Sequence, residues 1–397
     1  MNGVMKVRVL IFNEYYHPYE KGGAEVSTRL LAESLCRFGH EVFVVTTCDK
    51  NYELFYNGVK IFYIKANPVY WDGNCEKKTS VRKILWHVVD MNNLFVRSSV
   101  DSIIKETQPD IIHTNNLSHF SCFIWKIANE KKIPICHTLR DYYLMCHKCT
   151  LYNHSEICKQ RCFPCRMSSF FKEKYAKYVE AVVGISEHIL HRHLQEGFFR
   201  NANIKKVIFN PVSNERKENR DAQNKKIGFI GSLKASKGIE FLIRSFLSCE
   251  REDYTLLIAG KGSSEYEEHL RLICSNAANI EFLGRVKPES FYSQIGLLVV
   301  PSLWDEPFGR IVVEAIAQRV PVLASNRGGI PEILKDRKEG ILFDADDEGS
   351  LKSKLLEYMN GEMFFDFSKT DAFLENFKMD FIASEYNEIY RKMKRKE

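Results

Sequence analysis

Several features that would assign this chain to other protein classes are missing from its sequence. It has no run of about 18 to 20 apolar residues, so the sequence predicts no membrane-spanning helix. The first apolar run covers only residues 9–12 and no small-residue cleavage site follows it, so we expect no signal peptide and a cytoplasmic protein. No glycine-rich dinucleotide turn follows the first predicted strand, and the pair Gly260 and Gly262 lacks a third glycine, which argues against hydride transfer.

The positive charge is concentrated in one half of the chain. Residues 1–212 contain 29 lysines and arginines against 20 aspartates and glutamates, a net charge of +9, whereas the whole chain has a net charge of +6. A basic half suits phosphates or anionic lipid, although a solvated basic surface is the simpler interpretation. Because no nucleic-acid-binding motif accompanies the charge, we expect no nucleic-acid partner.

Cysteine is plentiful, with twelve residues of which five lie close together in the chain. Without an export signal, these are better explained as reduced thiols, core residues or metal ligands than as disulfides. Two Cys-x-x-Cys pairs match the spacing of structural zinc sites, and a loop without metal is the alternative. The candidate ligands are Cys146, Cys149, Cys158, Cys162 and Cys165.

The length and the alternation of short β-rich runs with helical segments predict two α/β domains with parallel sheets. We expect an N-terminal domain over residues 1–212, a charged linker over 213–226, a second domain over 227–377, and a C-terminal helix over 378–397 that returns to the first domain. The predicted strands are 7–12, 42–47, 60–64, 110–113, 133–139, 181–185 and 206–209, then 226–230, 255–259, 279–283, 297–301, 321–324 and 340–343. The predicted helices of the first domain are 25–38, 81–106 and 187–195.

The strongest motif lies in residues 301–334 and contains Glu306 and Glu314, with Pro-Phe-Gly directly after the first glutamate. A helix starting near Phe308 would present the backbone N–H groups of Phe308, Gly309 and Arg310 to a pyrophosphate. Eight residues of helix span about 12 Å, which suits a sugar at one end of a nucleotide and a ribose at the other. Two solvated glutamates on an amphipathic helix are the simpler interpretation, but the preceding buried strand and the following Gly328-Gly329 turn favour a ligand site.

With these motifs the sequence resembles family 4 of the retaining glycosyltransferases, which have the GT-B fold. The resemblance also covers Gly22-Gly23-Ala24-Glu25, Gly39-His40-Glu41-Val42, Asn210-Pro211, Lys237-Gly238, Gly260-Lys261-Gly262 and Gly284-Arg285-Val286. It implies two Rossmann-like domains that face each other across a cleft. It also implies that Glu306 contacts the donor sugar, that Glu314 holds the ribose, and that Gly22 and Gly23 bring backbone amides to the phosphates.

The resemblance implies further donor-side residues and one departure from the family. Many members have an arginine where this chain has Ser232, so Lys237 is the candidate to neutralise the leaving diphosphate, and Lys234 or Arg310 could replace the missing arginine. An exposed loop lysine is the simpler interpretation of Lys237. The predicted donor set is Gly22, Gly23, Ser232, Arg285, Phe308, Gly309, Arg310, Ile311 and Glu314.

In the N-terminal domain a second polar group follows the strand that ends near Leu139. The family often shows His-Asp where this chain has Arg140-Asp141, and arginine cannot act as a general base near neutral pH. We assign Arg140, Asp141 and His137 to catalysis and His113, Asn115 and Tyr142 to the acceptor side, without fixing a base. A structural role for His137 or His113 stays open.

The predicted function is transfer of a sugar from a UDP- or GDP-type donor to a hydroxyl of a glycan or polyprenyl-linked acceptor, as in bacterial surface polysaccharide synthesis. Catalysis needs no metal, because Asp344-Ala345-Asp346 has the metal-binding Asp-x-Asp spacing but is better explained by helix capping. The alternatives are a GT-B hydrolase or epimerase and a non-catalytic sugar-nucleotide-binding protein. Aromatic and lysine side chains in residues 170–175 predict peripheral attachment to anionic membrane.

Overall fold

The structure is a computed structural model that describes residues 6–71, 79–153, 155–212 and 224–394. Most of the predicted linker, residues 213–223, lies outside this range. Residues Met1–Leu151, Lys159–Pro211 and Met379–Glu397 form one compact unit. A second unit contains Tyr152–Cys158 and Val212–Lys378. The short segment 152–158, placed in the first domain by the sequence, therefore groups with the second unit.

Sixteen strands occur in the described residues. They are β1 (Arg8–Phe12), β2 (Glu41–Thr47), β3 (Tyr52–Tyr56), β4 (Val59–Ile64), β5 (Ile111–Thr114), β6 (Ile135–Leu139), β7 (Tyr152–Asn153), β8 (Glu156–Ile157), β9 (Ala181–Gly184), β10 (Ile204–Val207), β11 (Lys226–Ile230), β12 (Thr255–Ala259), β13 (Ile280–Gly284), β14 (Leu297–Val300), β15 (Val322–Ser325) and β16 (Gly340–Phe343).

Fourteen α-helices occur in the same residues, together with three short 3₁₀ turns. They are α1 (Gly23–Arg37), α2 (Ser80–Met91), α3 (Arg97–Thr107), α4 (Phe123–Glu130), α5 (Phe163–Ala176), α6 (Glu187–Gln195), α7 (Ile239–Leu247), α8 (Ser264–Ile273), α9 (Pro288–Tyr292), α10 (Arg310–Ala317), α11 (Ile330–Leu334), α12 (Glu348–Met359), α13 (Thr370–Leu374) and α14 (Met379–Lys394).

The first unit is built on an eight-stranded sheet in the order β10-β9-β6-β5-β1-β2-β4-β3. All neighbours are parallel except β3 and β4, which form an antiparallel hairpin. The sequence pattern did not predict β3. The signal was the Asn57-Gly58 pair, because both residues adopt positive φ angles (48° and 83°), and this dipeptide favours two-residue hairpin turns.

The predicted helix over residues 81–106 is wrong as a single element, because it breaks after Met91 into α2, a 3₁₀ turn and α3. The cause is the buried side chain of Asn93. Its amide nitrogen donates to the carbonyl oxygens of Ala66 and His119, both at 2.7 Å. Its oxygen accepts the N–H of Phe95 at 3.0 Å, a local bond that competes with the helical backbone pattern.

The core of the first unit includes the C-terminal helix α14. Ile382, Tyr386, Ile389 and Tyr390 are buried in the same cluster as the inward-facing residues of β1 and β2. The apolar stripe at helical spacing explains this packing, since an amphipathic helix gains stability by covering a sheet face.

The second unit is built on a six-stranded, fully parallel sheet in the order β13-β12-β11-β14-β15-β16. The predicted bounds of β11, β12 and β16 agree with the structure. Strands β11 and β12 are largely buried, as continuous apolar runs predict for parallel sheets, whereas the edge strand β16 is half-buried at Ile341 and Leu342. The α/β fold with two Rossmann-like parts, expected from the alternation, is confirmed.

Candidate active site

The second sheet changes direction between β11 and β14, where the strand order reverses. Ligands of open α/β sheets bind outside the carboxyl ends of the strands at this switch point. The loop after β11 carries Lys237 and the loop after β14 carries Glu306, so the topology brings together two residues that are 69 positions apart in the chain.

Glu306 is buried, with 7% of its surface exposed. Its Oε1 atom accepts hydrogen bonds from Lys237 Nζ at 2.6 Å, Ser302 Oγ at 2.6 Å and Trp304 Nε1 at 3.0 Å. The Lys237 ammonium group also lies 4.9 Å from the centroid of the Trp304 ring. Ser302 and Trp304 were not predicted as site residues, although both lie within four residues of Glu306 in the quoted motif. The carboxylate is therefore held in one orientation by a cation and two neutral donors.

Two glycines allow the loops to approach this carboxylate closely. Gly238 has φ +69°, and a Cβ atom there would lie 1.8 Å from the carbonyl oxygen of Pro301. Gly328 has φ +59°, and a Cβ atom there would lie 2.2 Å from the carbonyl oxygen of Glu306. Both positions therefore require glycine for conformation and for space. The next amide, Gly329 N–H, donates to the same Glu306 carbonyl at 2.8 Å.

Helix α10 begins at Arg310, two residues later than predicted, because Gly309 adopts a left-handed conformation (φ +96°) before it. Phe308 is buried and is not part of the first helical turn. Glu314 accepts hydrogen bonds from Arg310 Nε at 2.7 Å and from the hydroxyl of Tyr292 at 3.1 Å. The Tyr292 hydroxyl also donates to the carbonyl oxygen of Ile311 at 3.4 Å. Burial, followed by the Glu314 charge, raises the pKa of Tyr292 well above its usual value, so this hydroxyl remains a donor.

The remaining predicted donor residues lie on the surface of the second unit. Ser232 follows β11 and Arg285 follows β13, and both are exposed, as is Lys234. Lys234 and Arg310 were the two residues suggested as replacements for the missing arginine. Arg310 pairs with Glu314, so its guanidinium group already binds a carboxylate.

The glycine pair of the first unit stands at the start of α1. Gly22 is the N-cap residue, and the buried Glu25 carboxylate accepts hydrogen bonds from the backbone N–H groups of Gly22 and Glu25. This is the return contact of a capping box, in which the third helical residue satisfies the N-cap amide. Burial raises the pKa of Glu25, with the nearby Arg140 charge acting in the opposite direction. Glu25 was not predicted as a site residue, although the Gly-x-x-Glu spacing was a usable signal.

Arg140 is held by two amide side chains in the interior of the first unit. Its Nε atom donates to Asn115 Oδ1 at 2.8 Å and its terminal nitrogen donates to Asn210 Oδ1 at 2.6 Å. Within the part of the chain that the structure describes, the buried amide nitrogen of Asn115 has no hydrogen-bond partner. Asp141 follows directly and accepts the N–H of Tyr143 at 2.8 Å. Burial raises the pKa of Asp141 to about 6, which places this acid near neutrality.

The two histidines and the tyrosine of the predicted acceptor and catalytic sets are interior residues. His113 is fully buried, and its ring nitrogens bond to Tyr390 at 2.7 Å and Thr138 at 2.8 Å. His137 is bonded to Thr114 at 2.9 Å and stacked on Phe199. The structure thus supports the structural role that was left open for both histidines. The reason is that β5 and β6 are central strands covered on both faces, so a polar side chain within them points into a packed layer.

Tyr142 is fully buried and stacks parallel to His193 at a ring distance of 6.2 Å, away from the surface. Of the predicted residues in this unit, Arg140, Asp141 and Asn115 therefore form the polar group at the carboxyl ends of β5 and β6, with Glu25 beside them.

Within the cysteine-rich segment, Cys146, Cys165 and His147 offer ligand atoms that all lie within 4.8 Å of one another. His147 was not among the predicted ligands. Cys149 does not belong to this group of three ligand atoms, although Cys146 is among its electrostatic neighbours together with Asp141 and Lys172. Cys158 lies at the end of the short segment that groups with the second unit.

Two further sequence predictions concern surface features. The Asp344 side chain accepts the N–H of Asp346, and the Asp346 side chain pairs with Arg327. The residue that caps α12 is Asp347, so the capping acid lies one residue beyond the Asp-x-Asp pair.

In residues 170–175, Lys172 is buried and donates to the carbonyl oxygen of Tyr143 at 2.9 Å. Lys172 therefore cannot contribute to the membrane-facing surface predicted for this segment, because its side chain is buried against Tyr143.

Two doubly wound parallel sheets, each with charged side chains at its switch point, define the class as a GT-B type α/β protein. The family model described as "Glycosyl transferases group 1" matches residues 213–376, and the model "Glycosyltransferase Family 4" matches residues 21–216. The chain therefore belongs to the group 1, family 4-like glycosyltransferases, as the motifs predicted.

The similar proteins agree with this assignment. An uncharacterised 42.6 kDa protein in the cps region of Klebsiella pneumoniae is 33% identical and covers 97% of this chain and 100% of its own. Sucrose-phosphate synthase from Thermosynechococcus elongatus has a TM-score of 0.76 at 17% identity and covers 97% of this chain and 98% of its own. Anabaena HepE, in complex with UDP and glucose, has a TM-score of 0.70 at 17% identity, with 96% and 99% coverage. At these identities the solved structures show the fold alone.

Among the described residues, no helix combines the length and the apolar character needed to cross a membrane.

Proposed function

We propose that this glycosyltransferase moves a sugar from a nucleoside diphosphate donor to a hydroxyl of a glycan or lipid-linked glycan acceptor, with retention at the anomeric carbon. The observation that carries the proposal is the Glu306–Lys237 pair at the switch point of the second sheet. A buried carboxylate and a partly exposed ammonium group suit the two charges of the reaction, which are a developing positive charge on the sugar and a negative diphosphate.

In this proposal Lys237 and the first N–H groups of α10 bind the diphosphate, since a helix N-terminus stabilises anions. Glu306 contacts the donor sugar and Glu314 holds the ribose diol. The cation and the helix end replace a divalent metal, so no cofactor is required. Because Lys237 is bonded to Glu306, the diphosphate must share the ammonium group with this carboxylate.

The first unit supplies the acceptor side. Arg140 and Asp141 offer a cation and an acid with a pKa near 6 to a hydroxyl-rich ligand, and the buried Asn115 side chain positions Arg140. Phosphate contact by Gly22 and Gly23 requires displacement of the Glu25 carboxylate from the Gly22 amide. A raised pKa favours this exchange, because protonation of Glu25 weakens its hold on the helix end.

A screen of UDP-, GDP- and ADP-sugars by thermal stabilisation identifies the donor, because a ligand that binds only the folded state raises the melting temperature. UDP is the first probe, since the HepE protein with the same fold is complexed with UDP. Incubation of the stabilising donor with lipid-linked and free glycans then tests transfer. Release of free sugar or an epimer without acceptor would indicate a hydrolase or epimerase, and stabilisation without any turnover would indicate a binding protein.

We also propose that the first unit attaches peripherally to the inner face of the cell membrane, where lipid-linked acceptors of surface polysaccharides are found. Helices α2 and α5 pack together, and each exposes a stripe of apolar residues at helical spacing. These are Val81, Ile84, Leu85 and Val88 on α2 and Phe163, Met167 and Phe170 on α5. The exposed cations Arg82, Lys83, Arg166 and Lys174 accompany them, a combination that suits an anionic bilayer surface.

Sedimentation with phosphatidylglycerol-containing vesicles tests this attachment, with pure phosphatidylcholine vesicles as the comparison. Ile84→Ser combined with Phe170→Ser should weaken binding, whereas Leu272→Ser, which changes an equally exposed leucine of the second unit, should not. Binding should also fall as salt is raised. Equal binding to both vesicle types, or no binding to either, counts against the proposal.

A further inference from the structure

The cysteine-rich segment carries a cluster of potential metal ligands in the first unit. The sulfur atoms of Cys146 and Cys165 and a ring nitrogen of His147 lie within 4.8 Å of one another, and the Cys165 Sγ to His147 Nδ1 distance is 3.4 Å. Cys146 and Cys165 are buried, with 4% of their surfaces exposed. In a tetrahedral zinc site with bonds of about 2.0 to 2.3 Å, ligand atoms lie about 3.3 to 3.8 Å apart. These three groups therefore need to move by only about 1 Å to bind one ion.

The candidate for a fourth ligand is Cys162, the N-cap residue of α5, which has an exposed side chain and lies outside the group of three. Its thiol neighbours that of Cys165, which neighbours that of Cys146 in turn. The positive end of the helix favours negative sulfur at this place. Three thiolates and one imidazole form a Cys₃His set, which is a common structural zinc site.

The backbone around Cys146 supports the same assignment. The Lys148 N–H donates to Cys146 Sγ at 3.4 Å, and the Cys149 N–H donates to the Cys146 carbonyl oxygen at 3.0 Å. The first bond stabilises charge on sulfur, as bonds to metal-bound ligands do. The second closes a turn after which the Cys149 thiol is not one of the three clustered ligand atoms, and its largest electrostatic neighbours are Asp141 and Lys172.

We propose that the first unit binds one zinc ion through Cys146, His147, Cys162 and Cys165. Cys149 and Cys158, which the spacing alone included, are not ligands. The ion joins the loop that follows Asp141 to the first turn of α5. Among the described residues between these two segments, the short β7–β8 hairpin is the only regular structure. Its role is structural, because four protein ligands leave no open position for substrate.

The test measures zinc by mass spectrometry in full-length protein purified with reductant and without added metal. We expect about one equivalent in the wild type, in Cys149→Ser and in Cys158→Ser, and less than about a tenth of an equivalent in Cys146→Ser and Cys165→Ser. Cys149→Ser is the matched control, because it removes a thiol from the same loop. Less than about a tenth of an equivalent in the wild type, or loss of zinc in Cys149→Ser with retention in His147→Ala, would overturn the proposal.

A second measurement does not depend on the folding of the serine variants. Wild-type protein is stripped with chelator under reducing conditions and titrated with Co²⁺. Four-coordinate binding with thiolates should give intense visible bands and a sulfur-to-cobalt charge-transfer band at one equivalent. His147→Ala should shift the visible bands, because water or another ligand replaces nitrogen. Weak bands typical of six-coordinate cobalt, or bands that are unchanged in His147→Ala, would contradict the ligand set.

Discussion

Replacing Glu306 by glutamine removes the negative charge of the side chain but keeps its shape. The glutamine oxygen can still accept from Lys237, Ser302 and Trp304, which lie 2.6, 2.6 and 3.0 Å from Oε1. The side chains of Lys237 and Glu306 are 28% and 10% exposed, so the ion pair is only partly shielded from water. We therefore expect Glu306→Gln to lower the free energy of unfolding by about 1 to 2 kcal/mol, less than the 3 to 5 kcal/mol typical of a fully buried pair.

Although Glu306→Gln should be less stable, it should bind UDP more tightly than the wild type. The diphosphate and Glu306 compete for Lys237, and both are negative. Removing the like charge of Glu306 should therefore tighten UDP binding by about fivefold, which corresponds to about 1 kcal/mol. Lys237→Ala removes the attracting charge instead, so UDP should bind about tenfold to a hundredfold more weakly. Calorimetric titration with UDP measures both changes.

Turnover should fall in both variants, for different reasons. If Glu306 stabilises positive charge at the anomeric carbon, the donor-saturated rate of Glu306→Gln should drop by about a hundredfold to a thousandfold. Glu375→Gln is the matched control, since this exposed glutamate pairs only with Lys378 in the described structure and should leave the rate unchanged. A rate within about threefold of wild type for Glu306→Gln, or weaker UDP binding in this variant, would refute the assigned role.

Three further predictions concern Asp141, His113 and catalysis without a metal ion. Burial raises the pKa of Asp141 from 3.8 to about 6, so its contribution to stability is fully present below pH 3.8 and is lost as the pH rises through 6. Asp141→Asn should therefore raise the free energy of unfolding by about 1 to 3 kcal/mol at pH 7.5 and leave it unchanged near pH 4, and equal effects at both pH values in urea titrations would contradict the reasoning. His113→Asn should lose bonds to Tyr390 and Thr138, lower the free energy of unfolding by about 2 to 4 kcal/mol and leave the acceptor KM unchanged. A raised KM with normal stability would restore His113 to the acceptor side. Turnover of freshly purified enzyme should survive brief treatment with EDTA, and loss of activity that Mg²⁺ or Mn²⁺ restores would show that catalysis needs a metal.

The sequence pattern was sufficient to predict the bounds of an element where all its residues share the same kind of environment. The bounds of β11, β12, β16 and α6 agree with prediction, because a strand covered on both faces is apolar throughout and an amphipathic surface helix has its own period. Prediction failed at β3, where apolar residues do not alternate with polar ones and none of the five is buried, so the pattern gives no period-2 signal. It also failed at Asn93, whose side-chain bonds to distant carbonyls end a helix that its neighbours favour.

The residues of the candidate site also differ in how far motifs alone could place them. Glu306, Lys237, Arg140 and Asp141 were predicted from motifs, and the structure places them in loops after strands, which carry polar groups that the core does not need. Their roles in binding and catalysis stay predictions. The direction of a side chain within a strand depends on which layer covers it, and for this reason His113 and His137 were placed at a surface that they do not reach.

The sequence alone determined the alternation of strands and helices over most of the chain, the family and the bounds of several strands, because these follow from local periodicity and short motifs. Only the tertiary structure decided which of them meet. Lys237 and Glu306 become partners because β11 and β14 are neighbours in the sheet. His147 joins Cys146 and Cys165 because the loop returns to the start of α5. Such contacts join residues far apart in the chain, and no spacing rule encodes them, since they arise from packing of whole elements.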